Sequence, residues 1–511
     1  MALVEAGERL LLSGAVQAGQ GGWTGALDVD LDRIDADRLL KLWPVSVVPK
    51  TRDWFAANVG QATLTDVKAA LRLTPGTRRA YPGYEFAEAE VRFVRTLPPV
   101  LDARGHATLE GKTYTVQLDS GHVVPPEGGR IEAAGSVFQV IDITQRPATA
   151  KITLVTSSPL TATLSLLDQE PFSFFSKAGQ PVNLGEGRAE LNTTLYMPLA
   201  GKVTLPDVSF VVTGRIVDFS SPALVPGRIL RAPEIAVAVD TEGLSLSGAG
   251  MLDTLPVDLT YVQGFGPEQN GRARVNGTVM LSDAALRDLG IALPDGAVRG
   301  EGPAAIDIAL IKGVPPQLTL TSNLVGLALR LDALGWSKGA KARASLDLEA
   351  RLTREPVVDR MVLSAPGLTV EGEITTAEGS GLAEARFSRV VAGDWLDAPV
   401  TLTGTGRGGR AGCGCHRRPD RSARHAKGPG RCGWGRRPDP AGAGRTCDLS
   451  RDHADGDAGQ LHHARRDGGH FHRRGQRQGR DARRGSAHRR RQRVPHHLGQ
   501  CGHDHGCRRD L

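Results

Sequence analysis

Residues Ala342 to Leu352 alternate without a break. Ala342, Ala344, Leu346, Leu348, Ala350 and Leu352 share one parity; Lys341, Arg343, Ser345, Asp347, Glu349 and Arg351 share the other. Successive side chains of a strand point to opposite faces, so this pattern predicts a strand with one dry face and one wet face. The same period recurs along the chain. Ala87, Ala89, Val91 and Phe93 alternate with Glu88, Glu90 and Arg92; Tyr114, Val116 and Leu118 with Thr113, Thr115 and Gln117. Ile235, Val237 and Val239 alternate with Glu234, Ala236 and Ala238; Leu327, Leu329 and Leu331 with Ala328, Arg330 and Asp332.

Turn signals separate these runs. Thr241-Glu242-Gly243 leads into Leu244-Ser245-Leu246-Ser247-Gly248, and Ala365-Pro366-Gly367 into Leu368-Thr369-Val370-Glu371-Gly372. Residues 7–14 and 129–135 are looser relatives of the same unit of turn and strand, without a strict repeat period. Helix signals are few. Ser158 and Pro159 open a short helix presenting Leu160, Leu164 and Leu167 on one face. Ser282 to Leu289, closed by Gly290, predicts another, and 35–42 and 51–59 two more, the last carrying Trp54 and Phe55.

The body, residues 1–409, has no cysteine and few bulky aromatics. Its apolar positions lean on Ala, Val and Leu, too small to fill several sandwich cores. The predicted fold class is therefore mainly β: an extended, curved antiparallel β-sheet with a few short amphipathic helices and an apolar concave side.

Residues 410–511 are a different substance. They hold all six cysteines, twelve of the fourteen histidines, and 24 Arg and one Lys against ten Asp and no Glu, a net of +15. The whole chain carries 63 basic and 56 acidic residues, so the body is left with 38 basic and 46 acidic, a net of −8. The few large apolar residues beyond Arg410 cannot offset an ordering cost of about 1–2 kcal/mol per residue, so a disordered tail is expected. Its alphabet of Arg, Gly, His, Ala, Asp, Pro and Cys is that of a GC-rich gene read out of frame, which predicts a frameshift between Gly406 and Arg410. Cys413, Cys415 and His416, like Cys501, His503, His505 and Cys507, lack the spacing and framework of a structural zinc site. The Arg runs lack the interleaved aromatics of a specific nucleic-acid tail, so no specific nucleic acid is expected.

Within the body, Leu42-Trp43-Pro44, Pro49-Lys50-Thr51-Arg52-Asp53-Trp54, Ser158-Pro159-Leu160 through Lys177-Ala178-Gly179-Gln180-Pro181, and Gly335-Trp336-Ser337-Lys338 are landmarks. On these the chain resembles the YhdP-like branch of the AsmA superfamily over most of residues 25–400. The resemblance implies an envelope protein, an inner-membrane anchor in the full-length family, and a β-rich body on the periplasmic side. It also implies passive phospholipid transport between inner and outer membrane and maintenance of the outer-membrane barrier, with acyl chains as the partner. This chain opens with neither a signal peptide nor an apolar run of about 20 residues, so it is expected to be an internal fragment lacking the anchor.

The function expected is a non-catalytic β-groove module. Catalytic residues, metal and cofactors are not expected. Candidate lipid contacts are Ile235, Val237, Val239, Leu327, Leu329, Ala344, Leu346, Leu348 and Leu352. The alternatives are a structural or assembly factor of the envelope with filled cores, and an inactive gene fragment. His106 and His122 are expected to be solvated, and Trp43, Trp54 and Trp336 to be packing anchors.

Overall fold

A computed structural model describes residues 2–5, 8–46, 48–289, 291, 293–377, 381–404, 412–415 and 446–447. The proposed tail disorder, frameshift and cysteine–histidine clusters fall almost wholly outside the described residues. Two short strands, Gly412–Cys415 and Thr446–Cys447, carry pairing past residue 409. Strand pairing therefore does not stop at Gly404, where the alternation ends. Residues 448–511 lie outside the described residues.

The body is mainly β, a large antiparallel sheet with five short α-helices among the described residues. Its order is close to the sequence order. From Glu8–Gly19 onward each long strand pairs with the next, through Thr113–Val123, Val137–Val140, Ala148–Pro159 and Glu186–Leu199 to Leu396–Thr403. One insertion breaks the rule. Between Val314–Ser322 and Ser345–Arg351 the chain forms a hairpin, Leu327–Leu331 and Trp336–Lys338. That hairpin pairs back on Val298–Gly300, while the two flanking strands pair with each other.

In such a meander, successive connections alternate between the two ends of the strands. One end carries tight turns, at Gln20–Gly21, Gly111–Lys112, Thr241–Glu242 and Lys312–Gly313, together with longer loops. The other end carries every α-helix among the described residues: Ala36–Leu42, Pro49–Asn58, Leu160–Leu167, Phe174–Ala178 and Asp283–Asp288. It also carries the inserted hairpin.

Several boundaries differ from the sequence reading. The strand expected over 342–352 runs Ser345–Arg351, although Ala344 N–H still donates to Asn323 and Leu352 N–H to Pro316. The strand over 87–93 ends at Val91, which leaves Phe93 55% exposed in the following connection. The helix expected from Ser158 starts at Leu160 with Pro159 as N-cap. Ser158 is buried and its hydroxyl shares a hydrogen bond with the Thr163 hydroxyl, 2.7 Å, instead of capping. Ser282 does cap, its hydroxyl accepting from Ala285 N–H at 3.2 Å.

Buried apolar residues concentrate where the helices and hairpin pack, in three linked groups. Leu160 of its helix packs with Ala189, Ile216, Phe219 and Ala232. Ala285 packs with Leu255, Val257, Val279, Leu281 and Ala304. Trp336 packs with Leu368, Val370, Val390 and Ala392. Leu230 touches the first two groups; Leu329 and Leu363 touch the second and third. Almost half of the buried apolar residues are alanine, as the composition foretold.

Candidate functional site

The pairing register builds one feature that no single strand reveals. Leu191, Gly214, Val237, Leu246, Tyr261, Val275, Ile308, Leu318, Ala350, Val358, Ile374, Ala385 and Leu402 stand opposite one another in turn, one from each of thirteen adjacent strands. None carries a charge. A parallel row two residues along holds Leu259, Gly277, Ile306, Leu320, Leu348, Met361, Gly372, Phe387 and Val400. On the N-terminal side the same face continues through Phe210, Leu195, Ile152, Phe138, Val116, Ala107 and Tyr84.

The intervening positions form the opposite face, with a row of Ser247, Thr260, Asn276, Asp307, Thr319, Glu349 and Arg360. Ion pairs lace it. Arg215 reaches Glu190 and Glu234 at 2.9 and 3.3 Å, Arg274 reaches Asp307 at 2.6 Å, and Arg351 reaches Asp359 at 2.7 Å. Exposed pairs of this kind contribute about 0–1 kcal/mol each, so they keep the face wet and in register more than they stabilise it. A hollow of about 660 Å³ opens on this polar side, lined in part by Glu132, Ser157, Glu190, Arg215 and Glu234.

Most residues of the first apolar row are only half-buried: Val237, Leu246, Tyr261, Val275, Ile308, Leu318, Val358, Ile374 and Leu402. They lie beside the covered strip rather than under it. Three glycines interrupt the rows, and two of them, Gly214 and Gly277, show the local cause. A Cβ on Gly214 would lie 2.1 Å from the Glu190 carbonyl oxygen, and one on Gly277 2.0 Å from that of Asp258, so neither position has room for a side chain. Towards the N-terminal end a second hollow, about 310 Å³, is lined by Gly14, Ala15, Val16, Gly25, Ala26, Leu27, Leu71 and Leu73. Val16 there is 70% exposed.

The residues singled out from the sequence fall into two environments. Val237, Val239, Leu348 and Leu352 are half-buried, Val237 in the first row and Leu348 in the second. Ile235 and Val237 pack against the group beneath Leu160; Ala344, Leu346 and Leu329 pack against the group around Ala285. Leu327 is 2% exposed and sits within that group, where packing occupies it fully. Sequence reading did not pick out Val275, Ile308, Leu318 or Ile374. Their signal was present, as in Gln317-Leu318-Thr319-Leu320-Thr321, but the register that aligns them joins residues far apart in the chain.

Of the tryptophans, Trp336 is a buried anchor whose indole N–H donates to the Pro366 carbonyl at 2.8 Å. Trp54 is 43% exposed. It heads a chain of tilted rings, 6.1 Å from Phe93, which lies 6.5 Å from Phe138 on the apolar face. His106 is exposed, as expected. His122 is not solvated: it is 6% exposed, with Nδ1 3.8 Å from Asp102. Lys338 is buried too. Its ammonium donates to the Leu324 and Leu327 carbonyls at 2.7 and 2.8 Å, tying the hairpin down, and burial lowers its pKa.

Among the described residues no group of His, Cys, Asp and Glu is arranged to hold a metal ion, and no helix is long and apolar enough to cross a membrane. Comparison with protein-family models, with curated proteins and with solved structures finds no match.

Proposed function

We propose that the apolar face is a trough for the acyl chains of phospholipid, and that the protein serves passive lipid movement in a Gram-negative cell envelope on the periplasmic side. The observation that carries this reading is the uncharged row from Leu191 to Leu402, flanked by a second row and backed by a polar face. Transfer of a methylene from water to an apolar surface is worth about 0.8 kcal/mol, so a long acyl chain gains on the order of 10 kcal/mol. Similar gain at neighbouring strands leaves no deep trap along the row. The chemistry asks for no nucleophile, proton relay or metal. The YhdP-like resemblance supports the same reading.

A photo-crosslinking amino acid placed at Val275, Ile308 or Leu318 tests it, with Asn276, Asp307 and Thr319 as opposite-face controls. In cells labelled with radioactive phosphate, the first three positions are expected to capture phospholipid and the controls not. Capture at neither set, in folded protein, excludes the trough and leaves a purely structural sheet. Equal capture at both sets excludes a face-specific one.

A further inference from the structure

The tight-turn end of the strands carries a regular series of charges beside the apolar face. Lys112 lies in the turn before Thr113–Val123, and Arg146 in the connection into Ala148–Pro159. Lys202 lies between Glu186–Leu199 and Ser209–Ser221, and Arg272 between Leu255–Gly264 and Ala273–Ser282. Lys312 joins Val298–Ile311 to Val314–Ser322, and Arg354 precedes Val357–Ala365. All six residues are exposed. In the stretch from Lys112 to Arg354 every connection at this end carries a cation except Thr241–Glu242. Strands lie about 4.8 Å apart, so neighbouring connections at one end stand roughly 10 Å apart.

The acidic residues of the same end are partly committed to their own turns. Asp207 accepts from Thr204 N–H and hydroxyl at 2.8 and 2.6 Å, and Asp240 from the N–H groups of Glu242 and Gly243 at 2.8 and 3.0 Å. Asp142 accepts from Thr144 N–H at 2.8 Å and lies 3.6 Å from Lys112. Glu242, Glu268 and Glu355 share this end. The helix-bearing end also carries exposed cations, Lys41, Lys341 and Arg343 among them, and differs in what covers it. There Arg287 is held by Asp283 and Asp295, both at 2.9 Å, and Arg228 by Asp253 at 3.0 Å. Helices and hairpin cover the apolar face on that side.

We infer that the tight-turn end is the headgroup side, where the six cations hold anionic phospholipid headgroups while the acyl chains lie on the apolar rows. This deepens the trough reading and rests on it. The juxtaposition fits one chemistry: a molecule with an apolar tail and a negative head, oriented with the head away from the covered end. Anionic lipids such as phosphatidylglycerol then bind more tightly than zwitterionic phosphatidylcholine, through the screened attraction of spaced charges.

The test uses the whole chain and two fluorescent lipids, phosphatidylglycerol and phosphatidylcholine, each titrated against protein at low ionic strength. The triple variant Lys202→Glu/Arg272→Glu/Lys312→Glu is expected to weaken phosphatidylglycerol binding about tenfold or more. It leaves phosphatidylcholine binding within a factor of two or so. A control triple at the other end, Lys41→Glu/Lys341→Glu/Arg343→Glu, leaves both unchanged. Circular dichroism checks that each variant is folded, and the turn cations can also be tested singly. Equal loss for both lipids, or equal loss in both triples, overturns the headgroup assignment while leaving the trough. Failure of the unaltered protein to bind either lipid overturns both.

Discussion

Tyr84 and Tyr114 sit on strands separated by a third, their hydroxyls 2.7 Å apart on the apolar face. Burial raises the pKa of both; for Tyr114 the neighbouring Tyr84 adds to the effect. A phenol whose folded pKa stands above its unfolded value near 10 holds its proton longer in the folded state. Its contribution is complete below about pH 10 and is lost as the pH rises through the folded value. Stability is therefore expected to fall steeply above pH 10, and Tyr84→Phe/Tyr114→Phe to flatten that fall. Urea midpoints measured from pH 7 to 11 check this; an unchanged slope in the double variant contradicts it. The alternation of Tyr114 with Thr113 and Thr115 was legible in the sequence, but its partner thirty residues away was not. At this scale parity is readable, whereas contact depends on register.

Bulges keep the rows in phase. Asp66, Glu88, Asp102 and Asp218 adopt left-handed φ values of 48°, 54°, 49° and 53°. Each lies where the register shifts by one residue against a neighbouring strand. An extra residue in a regular strand would turn every later side chain to the wrong face; a bulge absorbs it. Ala89, Ala103 and Phe219, which follow three of these residues, are buried. Left-handed backbone costs a non-glycine residue about 1–2 kcal/mol, so Glu88→Gly is expected to be neutral or slightly stabilising. Deletion of Glu88 is expected to cost about 3 kcal/mol or more by forcing buried and exposed positions to exchange. Chemical denaturation distinguishes the two; similar midpoints would mean that the bulge does not set the phase. The sequence reading assumed unbroken alternation through Glu88 and so overran the strand to Phe93. It located four of the five helices, because capping and Pro signals are local. It missed Phe174–Ala178, a helix of five residues with little periodicity to display.

The whole sheet owes its two faces to the order of its strands. Each strand's alternation is equally compatible with a sandwich, and composition alone tipped the reading towards a single extended sheet. The near-sequential pairing is what turns isolated apolar positions into the row from Leu191 to Leu402. It also sends the helices and the hairpin to one end of the strands and the turn cations to the other. The helices were legible locally, but their placement on a common end follows from counting connections in the observed pairing. Leu327 illustrates the limit: its alternation with Ala328 resembles that of Leu348, yet the hairpin bends away and buries it.

The central claim is that phospholipid occupies the apolar rows, and retained lipid tests it most directly. Protein purified gently from a Gram-negative host and weighed intact by native mass spectrometry is expected to carry phospholipid. Ile308→Glu and Val275→Glu, which place a charge in the first row, are expected to reduce the lipid-bound fraction several-fold, while Asp307→Asn on the opposite face leaves it unchanged. A lipid-free wild-type protein, or a bound fraction indifferent to charges in the row, would contradict the account.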